Sequence, residues 1–413
     1  MSEFKVNTIT NRDGSYGPQV CGITTFGSSG MQLPSGPTEM RGGRGRGVIH
    51  GGRDNPTFYA DMDFIEIATT GNTNEFGNLK SKGQAAYGGT ASSTRGLVCG
   101  GYHQPAGATV SDIQYYTFSS GGGANNFGDL IAANSQASGA SNNRLAVLGG
   151  EYPSYNQRSL QYVTIATAGN ATLFGDMVST DIGSGGISSP TRGIMHGVDR
   201  NPATIKMTQF FEIATKGNAQ DFGELVNNYK AQGGASSSTR GLSMAGYITS
   251  SSQSTGIDFC TIATKGNFED FGDLTTARHS ASGTSNSVRA VLGGGATGSS
   301  GSNTNVMDYV TIASTGDATD FGDMTVARDY NASVNNSTRS VTGGSYTSMT
   351  NSMDYVTIQA TGNSVDFGDL TQSRQMDASC ESPTRGIFMG GISPGPSYVD
   401  YNIIDYITTS TLG

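Results

Sequence analysis

An arginine recurs along this 413-residue chain at Arg46, Arg95, Arg144, Arg192, Arg240, Arg289, Arg339 and Arg385, at intervals of 46 to 50 residues. Each opens an apolar run that usually ends in a glycine pair, as in RAVLGGG and RGIFMGG. Arginine is the residue here best suited to catalysis by charge, but its repetition argues against that. A catalytic side chain is needed once, at one site; one placed in every unit serves the unit. The expectation is that Arg95, Arg144, Arg192, Arg240, Arg289, Arg339 and Arg385 bond to carbonyls or carboxylates where one unit meets the next. Asp129, Asp176, Asp273, Asp323 and Asp369, each directly after a Phe-Gly pair, follow the same logic. They are expected to accept backbone N–H bonds in a turn or to pair with those arginines. The ligand spacing of a calcium loop is not present.

The other chemistry-bearing residues are sparse. The four histidines are His50, His103, His196 and His279, and the four cysteines are Cys21, Cys99, Cys260 and Cys380. His50 and His196 hold the same repeat position and read as strand residues. No HExxH and no Cys/His cluster occurs, so no metal ligand set is expected. The cysteines stand where neighbouring units carry small residues and read as small buried fillers. There is no nucleophile elbow, no sialidase-type Asp box and no copper set. No catalytic residue and no cofactor is assigned, and a non-enzymatic protein is expected.

The stretches after the glycine pair behave differently. They read YHQPAGATVSD, EYPSYNQRSLQ, YITSSSQSTGI, GATGSSGSNTNV, SYTSMTNS and ISPGPSYVDYNI, varying in length and content while the flanking strands repeat. They carry Tyr102, Tyr152, Tyr155, Tyr247, Tyr346, Tyr398 and Tyr401. Tyrosine offers rigid contact area with a hydroxyl, suited to sugars or protein surfaces. These seven are the candidate binding residues; the alternative is tyrosines folded back over their own units.

The elements that position these residues follow from composition and period. Hydrophobic residues make up 35% and charged residues 14%, with 61 glycines and no tryptophan. That is the composition of many short strands with many turns. A net charge of −9 argues against general nucleic-acid binding. The basic cluster MRGGRGRG reads as an arginine-rich turn. No apolar run reaches the roughly 18 residues of a membrane helix, and the first residues do not form a secretory signal.

Phe-Gly recurs at Phe76, Phe127, Phe174, Phe222, Phe271, Phe321 and Phe367. Each unit divides into four strands: an arginine strand, a DYVTI-type strand ended by TGN, a short DFGDL strand, and one of small residues such as SASGTSNS. Units of this length and kind suit an all-β propeller, with the small-residue strand innermost around a central channel. Seven Phe-Gly and seven small-residue strands stand against eight arginine and eight DYVTI strands. The segment around Phe26-Gly27 is expected to complete the last unit, pairing N- and C-terminal strands into an eight-bladed ring, with seven blades as the alternative. Residues 1–22 read as an extended N-terminal attachment arm and residues 23–413 as the propeller.

The glycine pairs Gly293-Gly294 and Gly343-Gly344, the DYVTI strand and the aromatic in the short strand resemble kelch repeats, with phenylalanine where kelch repeats usually carry tryptophan. DYVTIASTGDATDFGDMTVAR from Asp308 to Arg328, with the opening FKVNTITNRDGSYGPQV, more closely resembles kelch-like structural proteins of marine tailed phages, especially those infecting cyanobacteria. The resemblance implies a virion component of tail, fibre or capsid surface, acting in assembly or host adhesion. It implies partners among virion proteins through the N-terminal arm, a host-surface glycan or protein, no nucleic acid, no membrane insertion, and several copies per particle. The alternatives are a cellular kelch-type protein-interaction adaptor and a glycan-active propeller enzyme.

Overall fold

Short β-branched and aromatic runs punctuated by glycine form antiparallel sheets, and among the described residues eight with three or more strands follow in sequence order, beside three two-stranded hairpins. The structure, a computed structural model, describes residues 46–411 except 51–52, 55–56, 59, 67–73, 81–82, 85–87, 93, 104–107, 121, 134–137, 143, 150–157, 179–182, 190, 201–202, 227–232, 238, 250–251, 299–301, 330, 346–349, 375–377, 382–384, 393–402 and 410. Among the described residues there is no helix. The N-terminal arm and the Phe26-Gly27 segment lie outside them.

Sheet 3 sets the pattern: Ser138–Ser141, Leu145–Gly149, Ser159–Thr164 and Thr172–Asp176, paired in that order. The small-residue strand is one edge and the Phe-Gly strand is the other. Sheet 4 (Gly183–Ser188, Arg192–Arg200, Met207–Glu212, Gln220–Glu224) and sheet 5 (Gly233–Ser236, Arg240–Met244, Gly256–Thr261, Glu269–Asp273) repeat it. So do sheet 6 (Ser282–Ser285, Arg289–Gly293, Val306–Thr311, Thr319–Asp323) and sheet 7 (Ala332–Asn335, Arg339–Gly343, Ser352–Thr357, Val365–Asp369). Sheet 2 has the same four (Gly88–Ala91, Arg95–His103, Ala108–Thr117, Asn125–Asp129), with Gly83–Gln84 also pairing on its arginine strand.

The first and last sheets are each one strand short among the described residues. Sheet 1 (Arg46–His50, Asp61–Glu66, Asn74–Asn78) shows no small-residue strand. Sheet 8 (Ala378–Glu381, Arg385–Met389, Ile404–Thr408) shows no Phe-Gly strand.

In every Phe-Gly strand the register skips the phenylalanine. In sheet 6, Asp308 pairs with Asp320 and Met307 with Gly322, leaving Phe321 as the extra residue of a β-bulge. The bulge drives the ring into the core, where Phe321 is 2% exposed. There it meets the aromatic of its own DYVTI strand edge-on, as Tyr309 does at 5.9 Å. The same pair recurs in the other six sheets that have a described Phe-Gly strand, at 5.7 to 6.0 Å.

The core is correspondingly divided. Each apolar cluster lies between two consecutive sheets: Met62, Phe76 and Val98 between sheets 1 and 2, for example, or Val334, Phe367 and Phe388 between sheets 7 and 8. Stability therefore accumulates boundary by boundary, as in repeat proteins. At the small-residue edge sheets 5, 6 and 7 meet nearly backbone to backbone. The Ser282 and Ser333 hydroxyls are 2.7 Å apart, and Ser285 Oγ donates to Ser236 O at 3.3 Å. A Cβ on Gly283 would lie 2.6 Å from Gly234 O, so bulk is excluded there.

Candidate functional site

Three contacts recur where sheets meet, and they absorb most of the repeated polar residues. The first joins the Phe-Gly strand of one sheet to the TGN turn of the next. Gly217, Gly266, Gly316 and Gly362 N–H groups donate to the carbonyls of Phe174, Phe222, Phe271 and Phe321 at 2.7 to 2.9 Å. The turn's Asn side chain then accepts from the acid after Phe-Gly: Asp176 N–H to Asn218 Oδ1 and Asp323 N–H to Asn363 Oδ1, both 3.0 Å. Gly322, at φ +132°, has no room for a Cβ, which would sit on the Gly362 carbonyl.

Of the post-Phe-Gly aspartates, Asp129 and Asp273 accept from Ser111 and Thr255 hydroxyls of their own sheets. The acid before Phe-Gly makes the local turn bond: Asp320 Oδ1 accepts from Gly322 N–H at 2.9 Å, and Asp221, Asp270 and Asp366 do the same in their strands. All these carboxylates are exposed.

The second contact is the repeated arginine. Arg95, Arg192, Arg240, Arg289 and Arg339 lie over the aromatic ring of their own DYVTI strand at 4.1 to 4.5 Å. Each sends Nη1 to a carbonyl of the following sheet: Ile165, Ile262, Ile312, Ile358 and Thr409. Arg385 lies 4.7 Å over Tyr406.

Arg144 does not belong to this set. In strand register Leu145 pairs with Thr164, where Arg289 pairs with Thr311, and the exposed Arg144 stands one residue earlier in the turn. The missing cation comes from elsewhere: Lys216, in a turn of sheet 4, lies 4.2 Å over Tyr162 and bonds its hydroxyl.

The third contact is one that sequence reasoning missed. The second residue beyond the Phe-Gly acid needs a partner for its backbone N–H, and the next sheet's DYVTI strand supplies it. Ile131 and Val178 N–H donate to Gln161 and Gln209 at 2.8 and 2.9 Å. Thr325 N–H donates to Asp354 at 3.0 Å. In sheets 6 to 8 this aspartate also holds a wholly buried arginine from the preceding connection: Arg278 with Asp308, Arg328 with Asp354, and Arg374 with Asp405, at 2.9 to 3.0 Å. Burial pushes the Arg278 and Arg328 guanidinium groups below their ordinary range, and the facing carboxylates push them back. The arginines were visible in DLTTAR, DMTVAR and DLTQSR, repeated in three successive units and absent from the others.

The variable segments lie between the arginine and DYVTI strands, so in each sheet they leave from the same end. Described hairpins pair Arg53 with Phe58, Tyr102 with Thr109, Asp199 with Thr204, Tyr247 with Gln253, and Ala296 with Asn303. Among the seven candidate tyrosines only Tyr247 has a described side chain. Tyr102 is placed by backbone alone, and Tyr152, Tyr155, Tyr346, Tyr398 and Tyr401 lie outside the described residues.

Tyr247 is folded back onto the scaffold. Its ring stacks on His279 with centroids 3.9 Å apart, and its hydroxyl is 2.7 Å from His279 Nε2. His279 Nδ1 meets Ser280 Oγ at 2.9 Å, and the His279 backbone pairs with Ala296 of the next hairpin. Burial holds the His279 imidazole below its ordinary range, against a smaller upward pull from Asp329. Neighbouring hairpins also touch directly, through Gly298 N–H and Gln253 Oε1 at 3.2 Å.

Burial pushes the Cys99 and Cys260 thiols up to about 12, which leaves them protonated and unreactive. The side chains of Cys21, Cys380, His103 and His196 are not among those described. Among the described residues no three acidic, histidine or cysteine side chains converge as a metal site. What the arrangement offers chemically is a set of hairpins leaving the sheets from one end, the sheet 5 hairpin being braced on that of sheet 6. No protein-family model matches the chain, and no curated protein matches it.

Proposed function

We propose that the eight sheets are the blades of a closed β-propeller, and that the protein is a non-enzymatic virion component of a tailed phage. In this reading it docks through residues 1–22 and presents the hairpin face for assembly or host-surface adhesion. Two observations favour the ring. Sheets 2 and 3, and sheets 5 to 8 in turn, adjoin at their small-residue strands, with core clusters between their wider strands, the arrangement of blades about an axis. The strands not described in sheets 1 and 8 are complementary, and Phe26-Gly27 is a Phe-Gly pair not assigned to any described strand. Tyr406 of sheet 8, whose counterparts meet a bulged Phe, is 42% exposed.

The observation that carries the functional reading is the contrast between boundary and face. The same kinds of contact recur from sheet to sheet, with Lys216 in place of the arginine over Tyr162 of sheet 3, while variation concentrates in the segments at one end. A rigid scaffold with varied loops is how recognition surfaces are built. The kelch-like phage resemblance supplies the virion setting, and several copies per particle would multiply weak contacts.

Cryo-electron reconstruction of intact virions of the phage that encodes the chain tests this. The expected result is an eight-lobed ring on the tail, fibre or capsid surface with the hairpins outward. A seven-lobed ring overturns the blade count. Absence from virions overturns the virion reading and moves an intracellular adaptor ahead.

A further inference from the structure

Between sheets 6 and 7 lies a small notch whose polar lining is incomplete. Ser282, Thr284, Ser333, Ser340, Thr342 and Asp354 contribute to its wall. Most of these are satisfied within the protein. Ser333 Oγ contacts Ser282 Oγ at 2.7 Å and Thr342 Oγ1 at 2.8 Å, and Asp354 accepts from Thr325 and Arg328. The Thr284 and Ser340 hydroxyls are different. Both residues are more than nine-tenths buried, at 8% and 2% exposed, and neither hydroxyl has a partner in the protein. Leaving a hydroxyl buried and unbonded costs about 1–3 kcal/mol.

The adjacent boundaries show that this polarity is local. The position of Thr284, third in the small-residue strand, is Ala235 in sheet 5 and Val334 in sheet 7. The position of Ser340, second in the arginine strand, is Ala290 in sheet 6 and Gly386 in sheet 8. Across successive boundaries the facing pairs are Ala235 with Ala290, Thr284 with Ser340, and Val334 with Gly386. At the last, a Cβ on Gly386 would strike the Val334 side chain. The flanking boundaries are filled with hydrocarbon, and the middle one carries two hydroxyls beside a space that admits about one water.

We propose that this notch is a hydration site that binds a single water, donating to or accepting from Thr284 Oγ1 and Ser340 Oγ. Thr342 Oγ1 and Ser282 Oγ retain lone pairs on the same wall, so the water finds the three or so partners such sites need. It extends the Ser282–Ser333–Thr342 hydroxyl chain and keeps sheets 6 and 7 in register without a larger side chain. The site uses described residues alone and does not depend on the virion reading.

A high-resolution crystal structure of the full chain, with water-to-protein NOE measurements at the Thr284 and Ser340 amides in solution, tests this. The expected result is one ordered water within hydrogen-bond distance of both hydroxyls and a long-lived NOE. In the variant Thr284→Val with Ser340→Gly, which installs the pair found at the next boundary, the water and its NOE are lost. Hydroxyls bonded to protein carbonyls, with no water density and no NOE, overturn the proposal. So does retention of the water in the double variant. If that variant does not fold, the wild-type density and NOE decide alone.

Discussion

Sheets 2 to 4 and sheets 6 to 8 solve one problem in two ways. In both groups a backbone N–H leaving one sheet is bonded by a buried side chain of the next. Sheets 2 to 4 use Gln114, Gln161 and Gln209, at 6%, 1% and 2% exposed. Sheets 6 to 8 use Asp308, Asp354 and Asp405, at 1%, 2% and 8%. A neutral amide can be buried once its bonds are made. A carboxylate so deeply buried requires a counter-charge, and Arg278, Arg328 and Arg374 supply it. The difference teaches that the charged pair is not a requirement of the boundary. In sheets 6 to 8 it accompanies the aspartate, and a buried pair of this kind is weak evidence of added stability.

Breaking one partner should separate the two groups most strongly. Arg328→Met leaves Asp354 buried without its counter-charge and should cost about 3–5 kcal/mol in denaturant unfolding. Adding Asp354→Gln, which converts the boundary to the glutamine kind, should recover most of it. If the single variant loses under about 1 kcal/mol, the two solutions are energetically the same and the comparison fails.

The glycine clamp should not distinguish the groups. Gly128 in sheet 2 and Gly322 in sheet 6 both sit at positive φ, with a following sheet's glycine against the missing Cβ. Gly128→Ala and Gly322→Ala should each cost at least about 1–3 kcal/mol from backbone strain, with further loss from the clash. Unequal losses in thermal melts would show that the boundaries differ in more than the buried pair.

Acid should act chiefly through His50 of sheet 1. Burial pushes His50 down to about 4, so the folded protein keeps it neutral where the unfolded chain takes up a proton. That contribution is fully present above the ordinary histidine range and shrinks as pH falls from about 6.5 toward 4. The melting temperature should drop across that window, and His50→Gln should flatten the drop. His279, also held low by burial, adds slope in the same direction.

The smallest effect is expected at Ala245. It directly follows the arginine strand, where Gly294, Gly344 and Gly390 of sheets 6 to 8 have φ between +63° and +77°, and it adopts φ +61°. Ala245→Gly should raise stability by about 0.5–1 kcal/mol, the strain relieved exceeding the entropy added. A loss would mean that packing of the buried methyl outweighs the strain.

Much of the fold was legible because its signals are local. Phe-Gly, TGN and the glycine pair lie within a few residues of the turns and bulges they make, and strand type follows from β-branched and aromatic runs. The seven-against-eight strand arithmetic is matched among the described residues. One difference is local, and the others arise where a partner lies in another sheet. Counting arginines put Arg144 in the repeat, but the turn bond from Asn142 N–H to the Leu145 carbonyl fixes Leu145 at that strand position. The buried pairs escaped because their members are 26 to 31 residues apart and belong to different units. For Tyr247 the sequence left recognition and a folded-back ring as alternatives, since nothing near it in sequence announces His279.

The sequence by itself determined that this chain is a series of short antiparallel sheets. Period-two alternation, β-bulge glycines and turn residues act through backbone geometry within each unit. Only the tertiary structure decided which polar groups are used up at the boundaries between sheets and which stay exposed. That depends on the sheet packed alongside, and burial there raises the cost of every unpaired group. A repeated arginine, an aspartate or a tyrosine carries no mark of its partner until the next sheet is in place.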